Sequence, residues 1–513
     1  MDENTPINRG DIQRRAVQGV SWTLIHTVVS IPVAFIGTLI VARVLGVVDF
    51  GRLAYLTTLM EIVGAVLSAG LGTALVQFGA RRHSTSRYGE VEHLLAISQG
   101  FRLIIFAPLL IIAVVLVVDV PPPLMLIAIV FGILLPNYFG EASSGLAIEN
   151  KTAADAKLAM VSNLVTQAAV VAAVLIVGQA DAVWATRIAA AGLAAVLALI
   201  PLRASYRRAV LRPKLPRRFP TGFWSFAIPT GVSLLVAQLV MSRTEVVILE
   251  AMSTPEAVGV FALAFGVAGN VFAPARAFTG PLIPALSSLS ETTDSTTMGR
   301  AFARTLRASS TVSGILIAGG IPAIAVLVPV LYGTDFAGAA LPVVVLGCAG
   351  GIAVASTPVM AFTLARLSAR HLLVVNVVAL VVNVAAALLL IPPLGVWGAV
   401  FANIAGVLTR MVILLEGEAR ALKIHLSTVL RMLMPVACGI AAAWLSWGVA
   451  VLAQLPAVVE AFICGIVGVG VVVILLRVFG TGIDPGDARA ILDGMPRALV
   501  PVARPLIALL TRR

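Results

Sequence analysis

Six residues able to do chemistry stand inside long apolar stretches of this chain: His26, Arg43, Glu61, Glu141, Arg243 and Arg276. A charge at membrane depth is costly, and it persists where it lines a polar path, relays ions or meets a counter-charge. Arg276 lies on a stripe of small residues, Gly259, Ala262, Gly266, Gly269, Ala273 and Gly280, at spacings of three and four. Such a face either packs closely on a neighbour or walls a cavity, so Arg276 reads as fixed positive charge on an anion's route or as a structural partner of a carboxylate. Arg243 can snorkel to the membrane surface. Arg43 and Arg52 bracket a turn with Asp49, where a local ion pair is expected. Glu61 shares a face with Thr57, Gly64, Ser68 and Gly72, and desolvation suits a mid-span carboxylate to proton or sodium exchange, unless it serves as a counter-ion. His26 could relay protons or bond a neighbouring helix. Glu141, with Asn137 and Tyr138 after Pro136, forms a polar patch that is either an ion site or a packing contact at a kink. Glu245 and Glu250 read as interfacial. No metal-binding cluster, nucleophile-and-base arrangement or phosphate-binding loop is apparent, so catalysis is not indicated.

The elements that position these groups follow from composition. The 513 residues are 59% hydrophobic and 12% charged, with a mean hydropathy of +1.03. Spanning a hydrocarbon core of roughly 30 Å takes about 20 apolar residues. Fourteen candidate helices fit, near 18–42, 52–78, 94–118, 123–147, 157–178, 182–202, 222–249, 256–286, 302–331, 339–364, 371–392, 396–416, 430–453 and 457–478. The runs are apolar at nearly every position rather than alternately, which favours helices over a barrel. The expected architecture is therefore an all-α polytopic membrane protein of about 14 transmembrane helices. Its parts are an N-terminal segment 1–17, a six-helix bundle 18–202, a basic linker 203–221, a second six-helix bundle 222–420, helices 13 and 14 within 421–478, and an interfacial tail 479–513 broken by Pro496, Pro501 and Pro505. Cys348, Cys438 and Cys464 fall inside apolar helices and read as packing residues.

The net charge of +12 sorts by side rather than marking a nucleic-acid binder. All but Arg43, Arg52, Arg187, Arg243 and Arg276 of the 36 Lys and Arg fall on the N-terminal side of this alternation, with Arg102 and Arg410 counted there. That bias implies a multi-pass protein of the cytoplasmic membrane with both termini inside. The two halves repeat. Asp49-Phe50-Gly51-Arg52-Leu53-Ala54-Tyr55 returns weakly as Ala257-Val258-Gly259-Val260-Phe261-Ala262-Leu263, and Asn163 and Trp184 return as Asn376 and Trp397. Two parallel six-helix repeats around a central cavity are expected, with two extra C-terminal helices.

Arg43-Val44-Leu45-Gly46 followed by Phe50-Gly51, a span ending in Gly70-Leu71-Gly72-Thr73-Ala74-Leu75, and the Gly395-Val396-Trp397-Gly398-Ala399 turn resemble polysaccharide transporters of the multidrug/oligosaccharidyl-lipid/polysaccharide exporter superfamily. Members often carry Pro after the Leu-Gly pair, where this chain has Val47. The resemblance implies a flippase that moves a polyprenyl-diphosphate-linked oligosaccharide across the membrane by alternating access, for O-antigen, capsule or exopolysaccharide assembly. It implies Arg276, Arg243 and Arg43 facing the diphosphate, no cofactor beyond H+ or Na+ coupling through Glu61, His26 or Glu141, and partners among membrane lipids and polysaccharide polymerase or assembly proteins. A peptidoglycan-precursor flippase also has fourteen spans and stays open. A multidrug antiporter usually stops at twelve, and a membrane glycosyltransferase or polymerase would carry a long outer loop, which this chain lacks.

Overall fold

A computed structural model describes residues 9–482 other than 69, 217, 242–243, 274, 276–294, 366–368 and 454, together with six positions beyond 482. The described residues are overwhelmingly helical, and the chain forms two compact units, Met1–Ser242 and Arg243–Arg513. The divide falls within the span expected at 222–249. The basic segment after Arg203 belongs to the first unit.

In that unit α1 (Arg9–Ser68) is broken at Gly46, whose φ of 74° is open only to glycine at low cost. Two of the expected spans thus run nearly end to end. Gly70, also left-handed, separates α1 from α2 (Leu71–Ser84), and a methyl on it would lie 2.1 Å from the Ala227 carbonyl oxygen. Next come α3 (Tyr88–Phe101), α4 (Ala107–Val117), α5 (Pro122–Ile127), α6 (Leu135–Phe139) and α7 (Glu141–Ile148). Widened π turns link α3 to α4 over Arg102–Phe106, and α5 to α6 over Ala128–Leu134. Pro108 and Pro136 explain both, because each lacks an N–H and its ring clashes with the carbonyl one turn earlier. The long helices α8 (Thr152–Ile176) and α9 (Ala180–Leu197) pack along α1. They are followed by a short α10 (Ala204–Leu211) and by α11 (Phe223–Met241).

Polar contacts mark the two ends of this unit. At one, Arg52 meets Asp181 Oδ1 at 2.5 Å and donates to the Asp119 carbonyl at 2.8 Å, so the expected local pair with Asp49 is replaced by a link among three connections. At the other, the Arg203 amide donates to Glu149 at 3.2 Å, Lys151 Nζ donates to the Pro201 carbonyl at 2.8 Å, and Arg203 stacks on Tyr88. Tyr206 and Val210 of α10 are fully buried there among Leu94, Leu95, Leu146 and Phe223. The basic segment is therefore folded onto the bundle rather than free.

The second unit runs α12 (Thr244–Met252), α13 (Pro255–Val271), α14 (Ser295–Ile315), α15 (Ile321–Tyr332), α16 (Ala340–Ala355), α17 (Thr357–Ala365), α18 (Ala369–Leu394), α19 (Val396–Ala421), α20 (Leu426–Ala453) and α21 (Ala457–Val478). A third π turn, Leu316–Gly320, again precedes a proline, Pro322. The hairpin α18–α19 packs along its whole length, and α20 and α21 pack on each other and on α14 and α15. Cys348, Cys438 and Cys464 are all buried.

Eleven helices among the described residues are long and apolar enough to cross a membrane, and Phe223–Val236 and Pro255–Val271 are shorter apolar ones. Large side chains such as Leu116, Ile176 and Leu452 are mostly exposed, which water would not favour and lipid does. The chain is a multi-pass membrane protein.

Candidate functional site

Arg276 and Arg243 lie outside the described residues, as does nearly all of the tail 487–513. Arg43 is exposed on α1 just before the Gly46 break. Glu61 is exposed later on α1, and His26 is half-buried near its start. Neither has a side-chain partner among the described residues. Glu141 is fully buried. Its Oε1 accepts from Arg102 Nε at 2.7 Å and from Ser98 Oγ at 2.8 Å, while Gln99 next to Ser98 donates to the Asn137 carbonyl. The structure thus brings Glu141 onto a base that lies within the span expected at 94–118 but whose charge was counted with the preceding loop. Arg102 begins the π turn inside a helical segment running from Tyr88 to Val117.

A second acid, read from the sequence as interfacial, is enclosed by the protein. Glu245 is fully buried in the second unit, because α12 packs its polar face onto α18 and α19. Its Oε1 accepts from Asn383 Nδ2 at 2.7 Å and from Asn403 Nδ2 at 2.9 Å, and Asn383 also donates to the Ala402 carbonyl at 3.1 Å. Gly406 allows this approach: a methyl there would lie 2.9 Å from Asn383 Cβ. Glu245 Oε2 and Asn383 Oδ1 are buried without a hydrogen-bond partner among the described residues. One turn and more along the hairpin, Arg410 donates from Nε to Asn376 Oδ1 at 2.9 Å, inside α19 rather than in the loop where its charge was counted. Glu418 accepts from Thr363 at 2.6 Å.

Two unpartnered acceptor oxygens within one buried cluster have a definite chemistry. Left alone they carry a desolvation cost of a few kcal/mol. A proton on Glu245 or a small hard cation would relieve it, since oxygen donors of this kind suit such ions. Asn383 and Asn403 could have been noticed in the sequence as lone amides in apolar helices. Their convergence on Glu245, 138 and 158 residues away, has no local signature.

The fold recurs in solved structures of low sequence identity. "Lipid II flippase MurJ, inward closed conformation" aligns at a TM-score of 0.61 and 12% identity, over 89% of this chain and 98% of that one. An inward-facing multidrug resistance MATE family transporter of the MOP superfamily aligns at 0.58 and 15%, over 80% and 99%. A mutant of the Vibrio cholerae MATE transporter VcmN aligns at 0.53 and 12%, over 81% and 98%. No curated protein matches the chain in sequence at a significant level. The family of polysaccharide biosynthesis proteins matches residues 16–290, more than half of the 513, across the first unit and into the second, and so this helical membrane chain belongs to the polysaccharide biosynthesis protein family.

Proposed function

We propose that the protein is a flippase that carries a polyprenyl-diphosphate-linked oligosaccharide across the cytoplasmic membrane by alternating access, for cell-surface polysaccharide assembly. The observation that carries this reading is the family match over residues 16–290 on a fold also found in a lipid flippase. The full reading has fourteen spans in two six-helix repeats plus two helices, with both termini cytoplasmic. In support, α1 covers two expected spans and two short apolar helices stand where spans seven and eight are expected. Arg276, Arg243 and Arg43 are proposed to meet the diphosphate. Transport is coupled to H+ or Na+, and Glu245 with Asn383 and Asn403 joins Glu61 and His26 as a coupling site, favoured by its two unpartnered buried oxygens.

The test is the lipid-linked sugar pool in cells lacking the protein, complemented with wild type, Arg276→Ala or Glu245→Gln. Undecaprenyl-linked oligosaccharide should build up in the inner leaflet, and only wild type should clear it fully. An unchanged glycolipid pool with increased sensitivity to cationic drugs would replace this reading with the antiporter. Accumulation of a peptidoglycan precursor instead would assign the protein to that pathway.

A further inference from the structure

We infer that Arg102, Ser144 and the N-terminus of α2 form a binding site for a phosphate or diphosphate group inside the first unit. The inference deepens the flippase reading and rests on it only for what carries the anion.

The guanidinium is aimed by its acid partner. Glu141 Oε1, itself held by Ser98, receives Arg102 Nε and fixes the plane of the group. Gly140 lets it lie against the helix, since a methyl there would come within 2.9 Å of Nη1. Neither Nη1 nor Nη2 donates a hydrogen bond among the described residues, and the side chain keeps 16% of its exposure. Ser144, one turn beyond Glu141 on α7, is 9% exposed and its hydroxyl has no partner among the described residues. These donors converge on Gly72: a methyl on it would lie 3.9 Å from Arg102 Nη2 and 3.8 Å from Ser144 Oγ.

Gly72 belongs to the first turn of α2, a 14-residue helix that starts after the left-handed Gly70 with no side-chain cap. The first backbone bond of that turn runs from Ala74 N to Gly70 O, and the N–H groups of Leu71, Gly72 and Thr73 have no helical acceptor among the described residues. The positive end of α2 therefore faces the same space as the guanidinium and the hydroxyl. Depth agrees. Measured from the turn between Ser84 and Tyr88, both Leu71 and Arg102 stand roughly 20 Å along their helices. A helix broken at that level, with its N-terminus turned inward, is how membrane transporters meet anionic groups without a net charge at depth. Glu141 balances Arg102, so an arriving phosphate finds donors rather than a strong field, and its release is not opposed by one.

Gly72→Ala is the decisive variant, because its methyl makes only ordinary contacts yet fills space between Arg102 Nη2 and Ser144 Oγ that a bound oxygen needs. A second variant, Arg102→Gln with Glu141→Gln, removes both charges together and leaves no buried ion unpaired. Calorimetric titration of the purified full chain with farnesyl diphosphate, farnesol and inorganic pyrophosphate reads the site directly. Wild type should bind the diphosphate, and both variants should lose about tenfold or more, the scale of a charge-assisted hydrogen bond, with farnesol unchanged. The melting temperature of Gly72→Ala should stay at the wild-type value. Binding of farnesyl diphosphate alone assigns the site to a lipid headgroup, whereas equal binding of pyrophosphate assigns it to a free anion, and either upholds the site. Equal affinities in wild type and a stably folded Gly72→Ala, or no diphosphate binding by wild type, overturns it. In that case normal glycolipid clearance by Gly72→Ala leaves the flippase reading standing by itself.

Discussion

Arg52 and Tyr206 hold opposite ends of the first unit by polar contacts of unequal worth. The Arg52 side chain is 40% exposed, so solvent screens its pair with Asp181. A double-mutant cycle on Arg52→Ala and Asp181→Ala should return a coupling below about 1 kcal/mol that falls further in salt. Tyr206 is fully buried, with its hydroxyl 2.8 Å from His83 Nδ1. Burial, reinforced by the Glu149 carboxylate, pushes the phenol above its ordinary range, so it stays protonated and can donate to that nitrogen. Tyr206→Phe should therefore cost about 1 kcal/mol in thermal stability measured in detergent, with the apolar contacts of the ring retained. At this scale the sequence was a partial guide. It marked Glu141 as a polar group in an apolar helix, but the partners of Arg102, Glu245 and Arg410 were not foreseen, because hydropathy sees how far a residue is from a run's end and not which neighbour its helix face meets.

Elements were more legible, since apolar runs longer than 20 residues leave few alternatives to a spanning helix. Prolines disturb the helices by a specific means: Pro108, Pro136 and Pro322 each follow a π turn. What hydropathy missed is the break at Gly70, where an apolar run continues in sequence while the helix restarts. Packing between elements turns on small residues that composition cannot rank. On α21, a methyl at Gly468 would lie 1.8 Å from the Ala318 carbonyl oxygen, whereas one at Gly470 would meet nothing within 4 Å. Gly468→Ala should therefore push α21 from the turn beside α15 and lower stability by about 1–3 kcal/mol. Gly470→Ala, two residues along the same helix, should be neutral or slightly stabilising, as a helical glycine replaced by alanine in open space usually is. Equal melting temperatures for the two variants would mean that this helix contact does not hold the second unit together.

For the whole molecule, sidedness is the property from which transport direction follows, and it can be read chemically because the native cysteines are buried. Thiol labelling of the intact wild-type protein should accordingly be negligible, so that an introduced exposed cysteine reports its own side. Asp119 stands in the connection between α4 and α5, and Asp335 in the turn after α15. Both are exposed and are expected on the side poor in Lys and Arg. Ser84 and Arg420, also exposed, are expected on the basic side. A membrane-impermeant maleimide applied to whole cells should label Asp119→Cys and Asp335→Cys at once, and Ser84→Cys and Arg420→Cys only after permeabilisation. The four positions sample both units, so one span too many or too few between Ser84 and Arg420 would put at least one of them on the wrong side. That outcome would break the positive-inside assignment and, with it, the direction of transport proposed above.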